Sequence, residues 1–329
     1  MSTYTNVKKI ALKILICLLV TISALPPLFA KDSLKLSISQ FVSHPALNAV
    51  VKGIKHGLED AGYKAKENLE LDHQIAQGNM GTNIQIANRM ANDCDILIAV
   101  STPSAQAAQK AVQSQSLNTP VVFTAVSDHV SAGLTMPFVT GVTDSQPIDG
   151  QLHIIKQLLP EIKTIGILYN PGEANSVSQL QEIKKSCIAL DIDIIESPVY
   201  KTSEIDQAIL RVDGRVDAIY APADNTVISA ISRTTHVAHS REIPVFTADT
   251  HSVYHGAVAS YGFGYYEIGI ETAKKVIKIA NGADPSEIPV EPPTQKRLYI
   301  NLNSAKRLHL DIADRLLENS VIITEKEQK

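Results

Sequence analysis

Disulfide chemistry has little to work with in this chain: only three cysteines occur among its 329 residues, and there is no tryptophan. With Cys17 inside an N-terminal apolar run, Cys94 and Cys187 remain for the body of the protein. Two cysteines do not make a disulfide scaffold, and a chain this long buries enough apolar surface to do without one. Cys187 falls in the apolar register of a predicted helix and Cys94 just precedes a predicted strand, so both read as small buried side chains rather than ligands or nucleophiles. An excess of positive charge is also missing. Thirty basic residues face 34 acidic ones, for a formal charge of −4, which argues against a nucleic-acid partner. There is no low-complexity tract and no Gly/Ser linker.

Catalytic signatures are absent as well. No G-x-S-x-G elbow, Walker A loop or G-x-G-x-x-G fingerprint follows any apolar run. Ten histidines invite a metal, but neither H-E-x-x-H nor clustered Cys/His spacing occurs. His236 and His239 share a predicted helix face and His251 and His255 flank a turn; such pairs read as surface residues. No metal, no cofactor and no catalytic residue is therefore expected.

Residues 1–30 have the outline of a cleavable secretory signal. Lys8, Lys9 and Lys13 precede the apolar run Ile14–Val20, and Pro26-Pro27 leads to Ala30, the expected cleavage point. The run is short of the roughly 20 apolar residues a membrane span needs, although an uncleaved anchor is the alternative. Cys17 lies within the run without small residues before it, which argues against a lipoprotein anchor. Loss of the three lysines leaves 27 basic against 34 acidic side chains. A secreted, periplasmic monomer is the expectation.

What the chain does contain is a repeated unit, a short apolar run ending in small polar residues and followed by a helix. Leu36–Gln40 precedes Pro45; Asp95–Val100 precedes Ser101-Thr102-Pro103-Ser104; Val121–Val126 precedes Ser127-Asp128. The unit returns at Ile165–Tyr169 before Asn170-Pro171-Gly172, at Ala218–Tyr220 before Asp224-Asn225, and at Pro244–Ala248 before Asp249-Thr250. Near-continuous apolar strands alternating with helices indicate parallel α/β sheets buried on both faces. The spacing predicts helices over 45–61, 83–92, 151–159, 177–190 and 266–280, with Thr102 capping a helix that Pro103 begins and Ser203 capping another. Val139–Asp144 and Ala257–Tyr261 read as crossings between two halves. The expected architecture is thus two similar doubly wound parallel-sheet lobes joined by a multi-crossing hinge. The first lobe takes 31–142 plus about 258–285, the second 143–257 plus about 286–329.

In such sheets ligands bind beyond the carboxyl ends of the strands, where the polar residues of the repeat lie. Ser101, Thr102, Ser104, Thr124, Ser127 and Asp128 cluster at one such mouth, and hydroxyls beside a helix N-terminus suit an anion such as a carboxylate. Thr102 and Ser104 read equally well as caps. Asp224 and Asp249 stand at matching positions in the second half and could receive an ammonium group, although Asp224-Asn225-Thr226 also reads as a helix cap. Asn175 or Ser176 is expected to cap the next helix, while Glu173 or Asn175 could face the cleft. Gln40 and His44 would close the other side, with Phe41 or Tyr169 packing on an apolar ligand group. A hydrolase using Asp224 and Asp249 as paired carboxylates is a further reading, which turnover would reveal.

Seven segments together give the chain a family resemblance. They are H-P-A-L (44–47), T-P-V-V-F-T-A-V-S-D (119–128), G-V-T-D (141–144), I-G-I-L-Y-N-P-G-E-A-N-S (165–176), V-D-A-I-Y-A-P-A-D-N-T (216–226), I-P-V-F-T-A-D (243–249) and G-A-V-A-S-Y-G-F-G-Y-Y-E-I-G (256–269). With them the chain resembles the substrate-binding proteins of ABC transporters that include tryptophan- and phenylalanine-binding members. The resemblance implies a two-lobed periplasmic-binding fold with three crossings that closes on a small ligand and docks on an ABC permease. It further implies Ser101, Thr102, Ser104 and Ser127 on a ligand carboxylate, Asp224 or Asp249 on its ammonium, and Asn175 as a further contact. His251 after Asp249-Thr250 and His129 after Asp128 depart from the usual pattern, which bears on ligand preference. The functional expectation is a non-enzymatic binder of a small zwitterion, an apolar or aromatic amino acid, serving an importer. A ligand-sensing subunit docked on a membrane receptor is the alternative.

Overall fold

The computed structural model describes residues 33–324. The signal-like segment 1–30, and with it cleavage after Ala30, lies outside the described residues.

The first sheet is built from β1 (Leu34–Gln40), β2 (Leu69–Ile75), β3 (Ile96–Val100), β4 (Val121–Val126) and β5 (Val139–Thr143), in the order β2-β1-β3-β4-β5 with every pairing parallel. Helices α1 (Pro45–Asp60), α2 (Met80–Asp93) and α3 (Thr102–Ser114) connect its strands. Alternation along a strand sends successive side chains to opposite faces. Accordingly Ile96, Ile98 and Val100 of β3 join a core with Val50, Ile54 and Leu58 of α1. Leu97 and Ala99 join the opposite core with Ala87 of α2 and Ala108 of α3. Both faces are dry, which is why these strands read as continuous apolar runs.

The second sheet contains β6 (Thr164–Tyr169), β7 (Asp193–Pro198), β8 (Ala218–Ala221), β9 (Val245–Thr247), β10 (Ala259–Phe263), β11 (Lys296–Asn301) and β12 (Ser320–Ile323). Its order is β12-β11-β10-β9-β8-β6-β7, with β10 and β11 antiparallel and the other pairs parallel. Its helices are α4 (Ile148–Leu158), α5 (Ala174–Ala189), α6 (Ile205–Val212), α7 (Asn225–Ser229) and α8 (Ile231–His239). The long helix α9 (Tyr265–Ala280) returns to the first lobe, where Ile268, Ala273 and Val276 enter the α1 core. Two short helices, α10 (Leu302–Arg307) and α11 (Asp314–Leu317), complete the second lobe.

The chain therefore passes between the lobes after β5, between β10 and α9, and before β11. Two boundaries differ from the sequence reading. Residues 259–263 pair in the second sheet, so the return to the first lobe begins at Gly264, not at 258. Ile288 belongs to the first-lobe core and Glu291 bridges to Val142, so the last crossing lies beyond 291 rather than at 286. Strand β12 was not read at all; it is four residues long and half-buried. Ser203 caps nothing: it sits in a single 3-10 turn, Thr202–Glu204, ahead of α6. His239 and His251 are not the surface residues expected. Burial holds both imidazoles down at about 4, hence neutral.

Candidate functional site

Between the carboxyl ends of the two sheets lies a narrow cavity of about 20 Å³, lined by Ser101, Thr102, Ala125, Ser127 and Asp144 with His44 and Leu47 on the first-lobe side. Asn175, Ala223, Asp224, Asn225, Ile228 and Asp249 line it from the second lobe, and Tyr265 from the start of α9.

Ser101 is the most unusual residue in it. It sits between β3 and α3 as the helix N-cap with φ 81° and ψ 159°, a region almost reserved for glycine. The expected cap, Thr102, is instead the first helical residue. The Ser101 side chain makes no capping bond, and its buried Oγ has no partner. A strained backbone that delivers an unpaired hydroxyl to a helix N-terminus favours an anion there. Beside it on the neighbouring strand, where Ser101 N donates to Thr124 O, Ala125 takes φ 52° at a slip in the β4–β5 register, a bulge at the end of β4.

Three carboxylates share the lining, and no lysine or arginine does. Asp224 was read both as a cap and as a ligand contact, and its cap role is plain. Its Oδ1 accepts from Val227 N at 2.8 Å, while Oδ2 accepts from Asn170 N at 2.5 Å and Ser176 Oγ at 2.6 Å. Burial and the nearby Glu173 carboxylate push its pKa up, against these donors. Asp249 is held from its own segment alone: Oδ1 accepts from Ser252 N at 2.9 Å, Oδ2 from Ser252 Oγ at 2.5 Å, and the His251 backbone donates as well, while burial raises its pKa to about 6. Asp144 was not singled out in the sequence. Its Oδ1 accepts from Ser127 Oγ at 3.0 Å and Oδ2 from Tyr265 OH at 2.7 Å, and burial again pushes its pKa up. The signal for Asp144 was in the sequence, since G-V-T-D ends a strand as the other acids do.

Other candidates separate by position. His44 lines the cavity, caps α1 through Nδ1 to Leu47 N at 3.4 Å and bonds Asn225; burial lowers its pKa to about 4. Asn175 donates from Nδ2 to Ala223 O at 2.7 Å, leaving a buried Oδ1 without a partner. It lies in the first turn of α5, where Glu173, not Asn175 or Ser176, is the N-cap residue. Glu173 itself accepts from Asn225 and Thr226, bracing the α7 turn behind the cavity. Gln40 and Ser104 do not line the cavity. Gln40 donates to Val42 O and Asn48 Oδ1 and pairs with His73, which fixes the β1–α1 turn. Ser104 donates to Asn83 Oδ1 at 2.9 Å, joining α3 to α2. Ser127 lines the cavity, but its one O–H is directed to Asp144 rather than to a ligand carboxylate. Phe41 lines a neighbouring cavity, and Tyr169 donates to Glu196 at the far edge of its sheet.

The model of the ABC transporter substrate binding protein family matches residues 35–322. The chain belongs to that family. It is a solute-binding protein of an ABC transporter, not an enzyme. A tyrosine-binding protein of Clostridioides difficile is 34% identical over 85% of this chain and 82% of its own length. Among solved structures, a conserved domain protein from Vibrio cholerae is 38% identical, with a TM-score of 0.84 over 89% of this chain and all of the other. An ABC domain in complex with L-Trp from Streptococcus pneumonia, 30% identical, also scores 0.84, over 89% of this chain and 100% of the other. The ligand-free, open structure of a substrate binding protein with adhesive properties from Clostridium difficile is 34% identical yet scores 0.66, over 88% and 99%. The structure here thus superposes better on the L-Trp complex than on the open relative. Among the described residues, no helix of this solute-binding protein is long and apolar enough to cross a membrane.

Proposed function

We propose that this chain is the extracytoplasmic binding subunit of an ABC importer and that it clamps a free amino acid with an apolar or aromatic side chain. The carrying observation is the split polarity of the cavity: several carboxylates and no cationic side chain on one part, an unpartnered Ser101 hydroxyl at the α3 N-terminus on another. An α-ammonium placed by Asp249 and Asp144 gains charge-assisted hydrogen bonds. An α-carboxylate at Ser101 and Thr102 gains the helix-terminal N–H groups and the dipole. Leu47, Ala125, Ala223, Ile228 and Tyr265 supply the apolar contact for the side chain. The names of the tyrosine-binding and L-Trp-bound relatives support this class of ligand.

Thermal unfolding of the protein against each of the twenty amino acids tests the reading. A true ligand at about 100 times its dissociation constant adds about 2.7 kcal/mol of stability. The expected result is a clear rise with tyrosine, tryptophan or phenylalanine and none with aspartate or glutamate, whose extra carboxylate would be desolvated against the apolar wall without a cation to pair with. A folded protein that responds to no amino acid rejects the proposal. The importer role is checked in the native cell, where deleting the gene should abolish uptake of the same amino acid.

A further inference from the structure

We infer that Gln179 is a latch that sets how long ligand stays in the closed cleft. Gln179 lies on α5 in the second lobe, is 3% exposed and does not line the cavity. Its carboxamide is used at both ends. Oε1 accepts from Ala223 N at 2.9 Å within its own lobe, which fixes the amide orientation and points Nε2 outward. Nε2 donates across the cleft to Ser127 Oγ at 2.9 Å. Ser127 in turn donates to Asp144, so the chain Gln179, Ser127, Asp144 runs from the second lobe to a carboxylate in the cavity wall. Ala223, at the other end of the amide, lines the cavity too. A second cross-lobe bond, Ser178 Oγ to Asp128 Oδ2 at 3.2 Å, sits one residue away at the more exposed rim.

The Gln179–Ser127 bond joins residues of different lobes and so exists only while the lobes are together. A buried bond of this kind must break before ligand leaves, and its donor must meanwhile find water. Ligand arriving at an open cleft meets no such bond. The latch therefore acts on dissociation and leaves association untouched, the usual division when affinity is tuned within one interface. It also couples the two events: an ammonium engaging Asp144 orders the carboxylate that orients Ser127 toward Gln179.

The inference rests on the cleft being the ligand site, and the experiment separates the two claims. Stopped-flow rates for L-tyrosine and L-tryptophan are compared between the wild type and Gln179→Glu. Glutamate keeps the acceptor for Ala223 N but puts a carboxylate where Ser127 needs a donor, because the serine proton already goes to Asp144. The expected result is dissociation at least tenfold faster with an unchanged association rate and an unchanged melting temperature without ligand. Gln179→Met removes both bonds and should raise dissociation roughly threefold to tenfold, the worth of one net hydrogen bond. A cycle with Ser127→Ala should be strongly non-additive. Unchanged dissociation, additive losses, or equal effects on both rates overturn the latch while leaving the amino-acid reading intact. A wild type that binds no amino acid overturns that reading, and the latch with it.

Discussion

Asp224 and Asp249 show how one sequence pattern yields two different residues. Each follows an apolar strand, and each accepts the backbone N–H three residues on, from Val227 and Ser252 respectively. Asp224 is additionally held by Asn170 N from the loop after β6 and by Ser176 Oγ from the first turn of α5, which no spacing along its own segment reveals. The cap was legible; the second set of donors, brought by the neighbouring strand, was not. Their substitutions should diverge. Asp224→Ala removes an N-cap, worth about 0.5–2 kcal/mol, and leaves two donors unpaired at about 1–3 kcal/mol each. The ligand-free melting temperature should then drop by several degrees. Asp249→Asn should leave that temperature nearly unchanged and weaken amino-acid binding by about 2–5 kcal/mol, visible by calorimetry as a loss of 30-fold or more. The pH dependence has a definite sign. Asp249 titrates at about 6, whereas an α-ammonium stays charged well above that, so binding should weaken as pH falls through 6, by up to about tenfold per unit. Asp249→Asn should flatten that profile.

Helices and strands were largely readable because burial on both sheet faces imposes uninterrupted apolar runs, and polar residues follow at the strand ends. What failed was local: Thr102 was expected to cap α3, but Ser101, with φ 81° and no capping bond, takes that place, and Thr102 begins the helix. The contact of α1 with α9 was equally hidden. A Cβ on Gly53 would fall 2.1 Å from Tyr266 O, and one on Gly269 would fall 2.1 Å from Val50 O. Both glycines are helical, so their role is close approach of two backbones, not turn conformation. Spacing alone shows each as an ordinary interruption of its helix, and only the crossing explains it. Gly269→Ala must push the helices apart and should cost about 1–3 kcal/mol as overpacking, despite the better helix propensity of alanine. Denaturant melts check this. Because α9 also carries Tyr265 into the cavity and starts at a lobe crossing, the same variant should weaken ligand binding.

At the scale of the molecule, two lobes followed from the repeat and two of their crossings from strand-like segments at 139–144 and 257–261, while the third crossing came only with the family resemblance and the identity of the facing groups did not follow. Asp144, at the end of the first sheet, stands close enough to Asp249 of the second lobe for its charge to be felt. Burial, joined by the Asp144 charge, lifts Asp249 to about 6. His44 and His251, beside the same cleft, stay neutral down to about 4 and offer no compensating charge near neutrality. Closing an empty cleft at pH 7.5 therefore opposes like charges in a desolvated space, and a bound ammonium relieves this. The expectation by small-angle scattering is a larger radius of gyration without ligand than with saturating amino acid at pH 7.5. Lowering the pH to 5 protonates Asp249 and removes the repulsion, so the ligand-free protein should contract toward the bound dimension. Asp249→Asn should be contracted at both pH values. An unchanged radius across that range would mean that cleft charge does not govern closure. If the contraction is seen, the same proton that lets the empty lobes meet also takes away the charge that holds the ammonium, so acid closes this clamp and loosens its grip together.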